Sequence, residues 1–125
     1  MEIDGRDEEL ACLRMALRDA VPGDAWITVV GGPGIGKRAL VKKALLDRTA
    51  RWVDASRADV ESIERKLIAW ESQVTSLVIE GLDGWAFEDV AKLADVLGQT
   101  RMSAIALATR PFGFAMETQL RLAPL

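Results

Sequence analysis

Two kinds of segment alternate along the chain, one with apolar residues at helical spacing and one with a short, nearly continuous apolar run. The helical spacing predicts helices over residues 7–20, 36–47 and 60–71, and a fourth from near residue 84 to 98. Ser56, with Asp59 three residues later, gives an approximate capping signature before the third helix, and Gly98 is predicted to stop the fourth. The apolar runs predict strands over residues 26–30, 51–54, 76–80 and 103–109, with a short fifth strand in the tail, 120–125. Because strands alternate with helices, we predict an α/β fold in which a parallel sheet lies between two layers of helices.

A glycine-rich turn joins the first predicted strand to the second predicted helix. It matches the first seven positions of the P-loop pattern G-x-x-x-x-G-K-[ST], with the residues Gly31, Gly32, Pro33, Gly34, Ile35, Gly36 and Lys37. In such a loop successive backbone N–H groups turn toward a phosphate, the helix presents the positive end of its dipole, and the lysine adds a full charge. The pattern therefore predicts a phosphate site, and the alternative is an ordinary strand-to-helix turn with an exposed lysine.

The eighth position departs from this pattern, because Arg38 stands where Ser or Thr supplies a hydroxyl to Mg²⁺. A guanidinium cannot ligate a cation, and a unit positive charge about 4 Å from a divalent ion costs on the order of 8 kcal/mol at an effective dielectric constant of about 20. Three alternatives stay open. Arg38 swings away from the metal, or it neutralises the phosphates in place of Mg²⁺, or it is a solvated helix side chain. Mg²⁺ binding is therefore in question.

Charged residues follow the ends of the later strands. Glu80 ends the third strand. In P-loop proteins the Walker B acid, which orients Mg²⁺ and its water, ends a strand in the same way, although strands also end in an acid where they meet solvent. Asp83 either positions water or caps a helix starting near Gly84. Arg110, after the fourth strand, either points toward the phosphates or is an ordinary exposed loop arginine. The apolar residues of the next loop either fold back onto the core or form a contact patch: Phe112, Phe114 and Met116.

The order of these segments resembles the nucleotide-binding core of the STAND ATPases, signalling switches related to the AAA+ group. The resemblance covers nearly the whole chain through residues 5–10, 31–37, 77–86, 108–111 and 120–125. It implies a five-stranded parallel sheet of order 5-1-4-3-2, with the opening segment near the adenine. By the same resemblance, Lys37 and the loop backbone hold the β and γ phosphates, Glu80 is the metal-orienting acid, and Arg110 is the sensor of the γ-phosphate.

The chain departs from this family at three places. Arg38 replaces the hydroxyl residue, and Gly81 stands where a second acid is commonly found. The sequence also stops where family members continue into a helical lid and a winged-helix region. We therefore expect a single P-loop core over residues 1–125, either a fragment of a larger protein or a minimal, degenerate relative.

The amino-acid composition excludes several kinds of active site and argues against some classes of partner. The chain has no histidine and one cysteine, which removes the usual zinc ligands and any Ser-His or Cys-His triad. A formal net charge of -3 argues against a dedicated nucleic-acid binder, and phosphates and a solvated helix face account for the basic cluster after Gly36. No apolar run approaches the roughly 18 residues of a membrane span, and the acidic start does not fit a signal peptide. We expect a cytoplasmic protein.

Three functional hypotheses follow. The first is a switch that binds ATP or another nucleoside triphosphate, hydrolyses it weakly or not at all, and recognises a protein partner or a second copy according to nucleotide state. The second is an Mg²⁺-dependent ATPase that borrows groups from missing domains or from a neighbouring subunit. The third is a degenerate scaffold or adaptor that binds no nucleotide and uses the apolar loop residues near Phe112 as contacts.

Overall fold

The computed structural model of the protein describes residues 7–19, 26–114 and 117–122. Helices and strands alternate in these ranges, as the apolar pattern predicts. Their bounds are α1 Asp7–Asp19, β1 Trp26–Val30, α2 Lys37–Ala44, β2 Ala50–Asp54, α3 Val60–Trp70, β3 Ser76–Glu80, α4 Phe87–Gly98, β4 Ser103–Ala108 and β5 Glu117–Arg121. Short 3₁₀ turns follow two of the strands, Ala55–Arg57 after β2 and Leu82–Gly84 after β3.

All five strands form one parallel sheet of order β2-β3-β4-β1-β5. This is the order that the family resemblance implies, counted from the opposite edge, so the prediction of the fold is confirmed. Val30 lies opposite Ala108 and Arg121, and Asp54 lies opposite Glu80. The carboxyl ends of the strands therefore meet at one edge of the sheet, which is where ligands bind in open sheets of this kind.

The helices cover both faces of the sheet because the central strands are buried on both sides. Every residue of β1 and β4 is buried, as are the first four of β3. One apolar core packs α3 and α4 against the sheet around Ile63, Leu93 and Ile79, and the other packs α1 and α2 around Leu13 and Val41. Each such side chain stabilises the fold by roughly 1.5–3 kcal/mol through burial. Within the described ranges, no helix is long and apolar enough to cross a membrane.

α2 ends earlier than the sequence predicts, whereas α4 ends at the predicted glycine but without a left-handed cap. α2 ends at Ala44, three residues before the predicted end, and Leu45 is its C-cap residue. The chain turns directly after it, where the Arg48 N–H donates a hydrogen bond to the Leu45 carbonyl at 3.0 Å. Gly98 is the last residue of α4, yet it is not among the described glycines with positive φ, and Gln99 follows in a right-handed helical conformation. Gly98 therefore does not act as a left-handed cap.

The cap of α3 uses a different pair of residues from the predicted Ser56 and Asp59. The Asp59 carboxylate accepts a hydrogen bond from the Ser62 N–H at 2.8 Å, and the Ser62 hydroxyl accepts one from the Asp59 N–H at 3.3 Å. Ser56 instead donates its N–H and its hydroxyl to the Asp54 carboxylate, at 3.0 and 2.7 Å. The prediction was wrong because Ser56 is taken up by the 3₁₀ turn that directly follows β2.

β5 begins at Glu117, three residues before the predicted fifth strand, while residues 123–125 lie outside the described ranges. Apolar periodicity could not reveal its first half, since Glu117, Thr118 and Gln119 are polar. Main-chain pairing with β1 forms this half of the strand, with Glu117 opposite Trp26. The edge strand is therefore defined by its neighbour rather than by burial of its own side chains.

The loop between β4 and β5 folds back onto the core, which was one of the two alternatives for it. Phe112 and Phe114 are half-buried, with ring centroids 6.1 and 5.4 Å from that of Trp26 in edge-on geometry. Such aromatic pairs add roughly 0.5–1.5 kcal/mol beyond area burial. Met116, the third residue of the predicted patch, lies outside the described residues.

A polar cluster holds this loop at the edge opposite the carboxyl ends. The Glu117 carboxylate accepts hydrogen bonds from the Thr28 hydroxyl and from the N–H groups of Phe112 and Gly113, the latter two at 3.0 Å. Burial raises the pKa of Glu117, but these hydrogen bonds and one from Gln119 outweigh it, so its pKa lies below the ordinary value. The carboxylate therefore anchors the loop to β1 in its charged form.

Candidate functional site

The glycine loop, residues 31–36, starts at the carboxyl end of β1 and ends at the first turn of α2. Its buried first residue, Gly31, donates its N–H to the Ala108 carbonyl of β4 at 3.0 Å. A β-carbon at Gly31 would lie 2.7 Å from Ile35 Cγ2, so a larger residue there would require the Ile35 side chain to move. Gly36 has φ 97° and precedes α2 without a side-chain cap. The N–H groups that open α2 therefore have no capping side chain.

Lys37, the first residue of α2, lies folded over this loop. Its Nζ donates to the Gly31 carbonyl at 2.5 Å and to the Gly32 carbonyl at 3.3 Å. An ammonium group has three donors, and these two carbonyls hold it against the start of the loop. The positive charge and the uncapped helix end thus lie together, which is the arrangement that attracts a phosphate.

Arg38 forms an ion pair that none of the three sequence alternatives contains. Its Nε lies 3.2 Å from Oε2 of Glu80, the last residue of β3. The guanidinium carbon is also 5.5 Å from the ring centroid of Trp52, over which Lys42 lies at 5.8 Å. The Arg38 side chain is 64% exposed, so it is neither fully solvated nor buried. It bridges the helix that follows the glycine loop to the predicted metal-orienting acid.

Gly81 follows Glu80 for a steric reason. It has φ 85°, a conformation that L side chains rarely adopt, and a β-carbon there would lie 2.6 Å from the Ser56 backbone nitrogen. The neighbouring 3₁₀ turn therefore occupies the space that a second acid would need. A second acid at this position would therefore require that turn to move.

Asp83 does not cap α4, and its role in positioning water stays a prediction. One oxygen of its carboxylate accepts hydrogen bonds from both the N–H and the hydroxyl of Thr109, each at 3.1 Å. α4 begins at Phe87, beyond the predicted start near Gly84, and has no side-chain cap. Asp83 therefore ties the turn after β3 to the end of β4, one residue before Arg110.

Arg110 lies at the predicted edge of the sheet but is isolated there. It is exposed, and it forms no ion pair with any of the residues that the structure describes. Its role as a γ-phosphate sensor stays a prediction. The topology alone brings together the glycine loop, Glu80 and Arg110, because β1, β4 and β3 are adjacent in the sheet.

Comparison with solved structures reveals the same architecture. The chain is similar to a Signal Transduction ATPase with Numerous Domains (STAND) protein with a tetratricopeptide repeat sensor from Pyrococcus horikoshii, with a TM-score of 0.60 and 18% identity over 94% of this chain and 22% of that one. It is also similar to a DNA replication initiation factor, with a TM-score of 0.53 and 13% identity over 88% of this chain and 40% of that one. The chain has the P-loop NTPase fold.

These similarities cover only part of the proteins compared. The chain spans about a fifth of the STAND protein and two fifths of the replication initiation factor. No family model matches the chain, and no curated protein matches it in sequence. At these identities the likeness establishes the P-loop NTPase fold alone, and the glycine loop is the P-loop of that fold.

The residues of this P-loop site do not fit the divalent cation that the fold family implies. The hydroxyl ligand is replaced by Arg38, and the one strand-end acid predicted to orient a metal, Glu80, is paired with that same arginine. Over the described part of the chain, no group of three acidic, histidine or cysteine side chains could hold a metal ion. The positive charge at this place comes from the protein itself.

Sequence patterns missed Trp52 and the contact between Arg38 and Glu80. Trp52 lies two residues before the end of β2, opposite Val78, with Asp54 opposite Glu80. Strand alternation could have placed Trp52 and Glu80 on one face of the sheet. It could not have shown that α2 packs over that face, because this depends on the crossover and on the neighbouring order of the strands.

Proposed function

We propose that the chain is a nucleotide-binding P-loop domain, with ATP as the favoured ligand, that acts as a signalling or regulatory switch with weak or absent hydrolysis. The observation that carries this proposal is the uncapped start of α2, with Gly36 at φ 97° and Lys37 held over the loop carbonyls. The resemblance to STAND cores supports the signalling role, and the similar Pyrococcus protein is described as a signal transduction ATPase. A protein partner or a second copy would receive the signal.

Weak hydrolysis follows from the state of the carboxylates at this edge. Glu80 is paired with Arg38, and Asp83 accepts two hydrogen bonds from Thr109. Gly81 leaves no room for a further acid beside Glu80. A group that positions or deprotonates water needs an acceptor aimed at it, and these contacts engage one oxygen of each carboxylate and fix its orientation.

The active ATPase remains the second candidate, since β3 ends in an acid as the Walker B pattern requires. It requires Mg²⁺-dependent phosphate release that disappears in Lys37→Ala and falls in Glu80→Gln. Phosphate release that neither substitution changes would come from a contaminant. The scaffold hypothesis is less supported, because Phe112 and Phe114, its candidate contacts, pack on Trp26.

The test is ATP binding measured by titration calorimetry on the wild-type chain and on Lys37→Ala. Loss of a charge-assisted hydrogen bond to phosphate should weaken binding by about tenfold to a hundredfold. Lys66→Ala is the matched control, since Lys66 is an exposed lysine of α3, on the opposite face of the sheet from α2. Absence of binding at millimolar ATP, or equal binding in Lys37→Ala and wild type, would reject the proposal and favour the scaffold.

A further inference from the structure

We propose that this P-loop site takes nucleotides as the metal-free polyphosphate, with Arg38 supplying the positive charge that a divalent cation supplies in related sites. The inference rests on the proposed nucleotide binding. Its starting point is the contact between Arg38 Nε and Glu80 Oε2 at 3.2 Å, which links the two positions that would otherwise both face a cation. The positive charge that pairs with the Glu80 carboxylate therefore comes from Arg38 of the same chain.

The position of Arg38 leaves it able to bind phosphate and carboxylate together. A guanidinium has five N–H donors, and a carboxylate engages at most two of them, so three or more stay available to an anion. The side chain is 64% exposed and therefore open to a ligand that arrives from solvent. Trp52, 5.5 Å away, supports the guanidinium from the sheet side.

Charge balance then decides between the two forms of the nucleotide. Without Arg38, the Glu80 carboxylate would repel phosphates unless a cation stood between them. With Arg38 in place that repulsion is offset, and a nucleotide that carries its own Mg²⁺ would bring like charges together. The site thus favours the metal-free form, and the single residue that sets this preference is Arg38.

The experiment compares ATP binding by calorimetry in Mg²⁺ and in EDTA for the wild type and for Arg38→Thr. The wild type should bind in EDTA at least as tightly as in Mg²⁺, whereas in Arg38→Thr Mg²⁺ should strengthen binding by about tenfold or more, because the hydroxyl and the released Glu80 then face the metal. Arg51→Thr removes the same charge from β2 near the opposite edge, where Arg51 stacks on Trp70, and should behave as the wild type.

Glu80→Gln provides a second, milder test that does not depend on the folding of Arg38→Thr. Removing the acid frees Arg38, so metal-free ATP should bind at least as tightly as to the wild type, and weakening by about tenfold would overturn the inference. A wild-type chain that binds ATP only with Mg²⁺ would overturn this inference but keep the proposed function. Absence of binding in both buffers would overturn both.

Discussion

The helices α2 and α3 both follow a strand of the same sheet, yet their first turns are built in opposite ways. α3 opens with an acidic residue in its first turn and a closed capping box between Asp59 and Ser62. α2 opens on Gly36 with no side-chain cap, no acidic residue in its first turn, and two cations, Lys37 and Arg38. Cations at a helix start oppose the dipole, typically by 0.3–1 kcal/mol each.

The two helix starts differ in what balances their first N–H groups. The start of α3 is satisfied by its own side chains, so it is complete as a structural element. The start of α2 has no capping side chain and carries concentrated positive charge, and the helix is held in place by the burial of Leu40, Val41 and Ala44. A bound phosphate would supply at α2 what Asp59 supplies at α3.

The largest effect should come from Gly36→Ala, which alters the open start of α2. A β-carbon at φ 97° meets no atom within 4 Å, so the cost is backbone strain, roughly 1–2 kcal/mol, and the loop should relax to another conformation. We expect ATP affinity, measured by calorimetry, to fall by about tenfold or more while circular dichroism stays unchanged. Gly84→Ala is the control, since that position is also open but lacks positive φ. Equal binding in both variants would contradict the role given to Gly36.

A smaller effect should come from Asp59→Ala, which removes the side-chain cap at the start of α3. Loss of the side-chain cap should lower the melting temperature by about 2–8 °C, as measured by thermal unfolding, because the Ser62 N–H loses its partner. Nucleotide binding should stay unchanged. Asp59→Asn should retain most of the stability, since asparagine caps as well. A drop in nucleotide affinity in Asp59→Ala would mean that the two helix starts are coupled.

The smallest effect is the pH dependence of that same cap. The Ser62 N–H and then the Ser62 hydroxyl lower the pKa of Asp59 below its ordinary value. A lowered folded-state pKa gives stability that is present above the unfolded value and is lost as the pH falls through the folded one. The difference in melting temperature between wild type and Asp59→Ala should therefore shrink below about pH 4. The difference between Asp59→Asn and Asp59→Ala should not change with pH.

The sequence predictions succeeded where structure is decided locally and failed where it depends on distant packing. The buried strands and the glycine loop follow from continuous apolar runs and from glycine spacing, so their positions were predictable. The start of β5 depends on pairing with β1, and its first residues, such as Glu117, have no apolar pattern. The ion pair between Arg38 and Glu80 joins residues 42 positions apart, and only the seating of α2 over β3 and β2 brings them into contact.

The backbone at Gly81 restricts how this domain could be turned into an efficient hydrolase. Introducing a hydroxyl at residue 38 needs one substitution, but an acid at residue 81 would collide with the Ser56 backbone and require a left-handed conformation. The turn after β2, held by Asp54, would have to be rebuilt first. A second acid beside Glu80 would thus need changes in both turns together, because a substitution at residue 81 alone meets the Ser56 backbone.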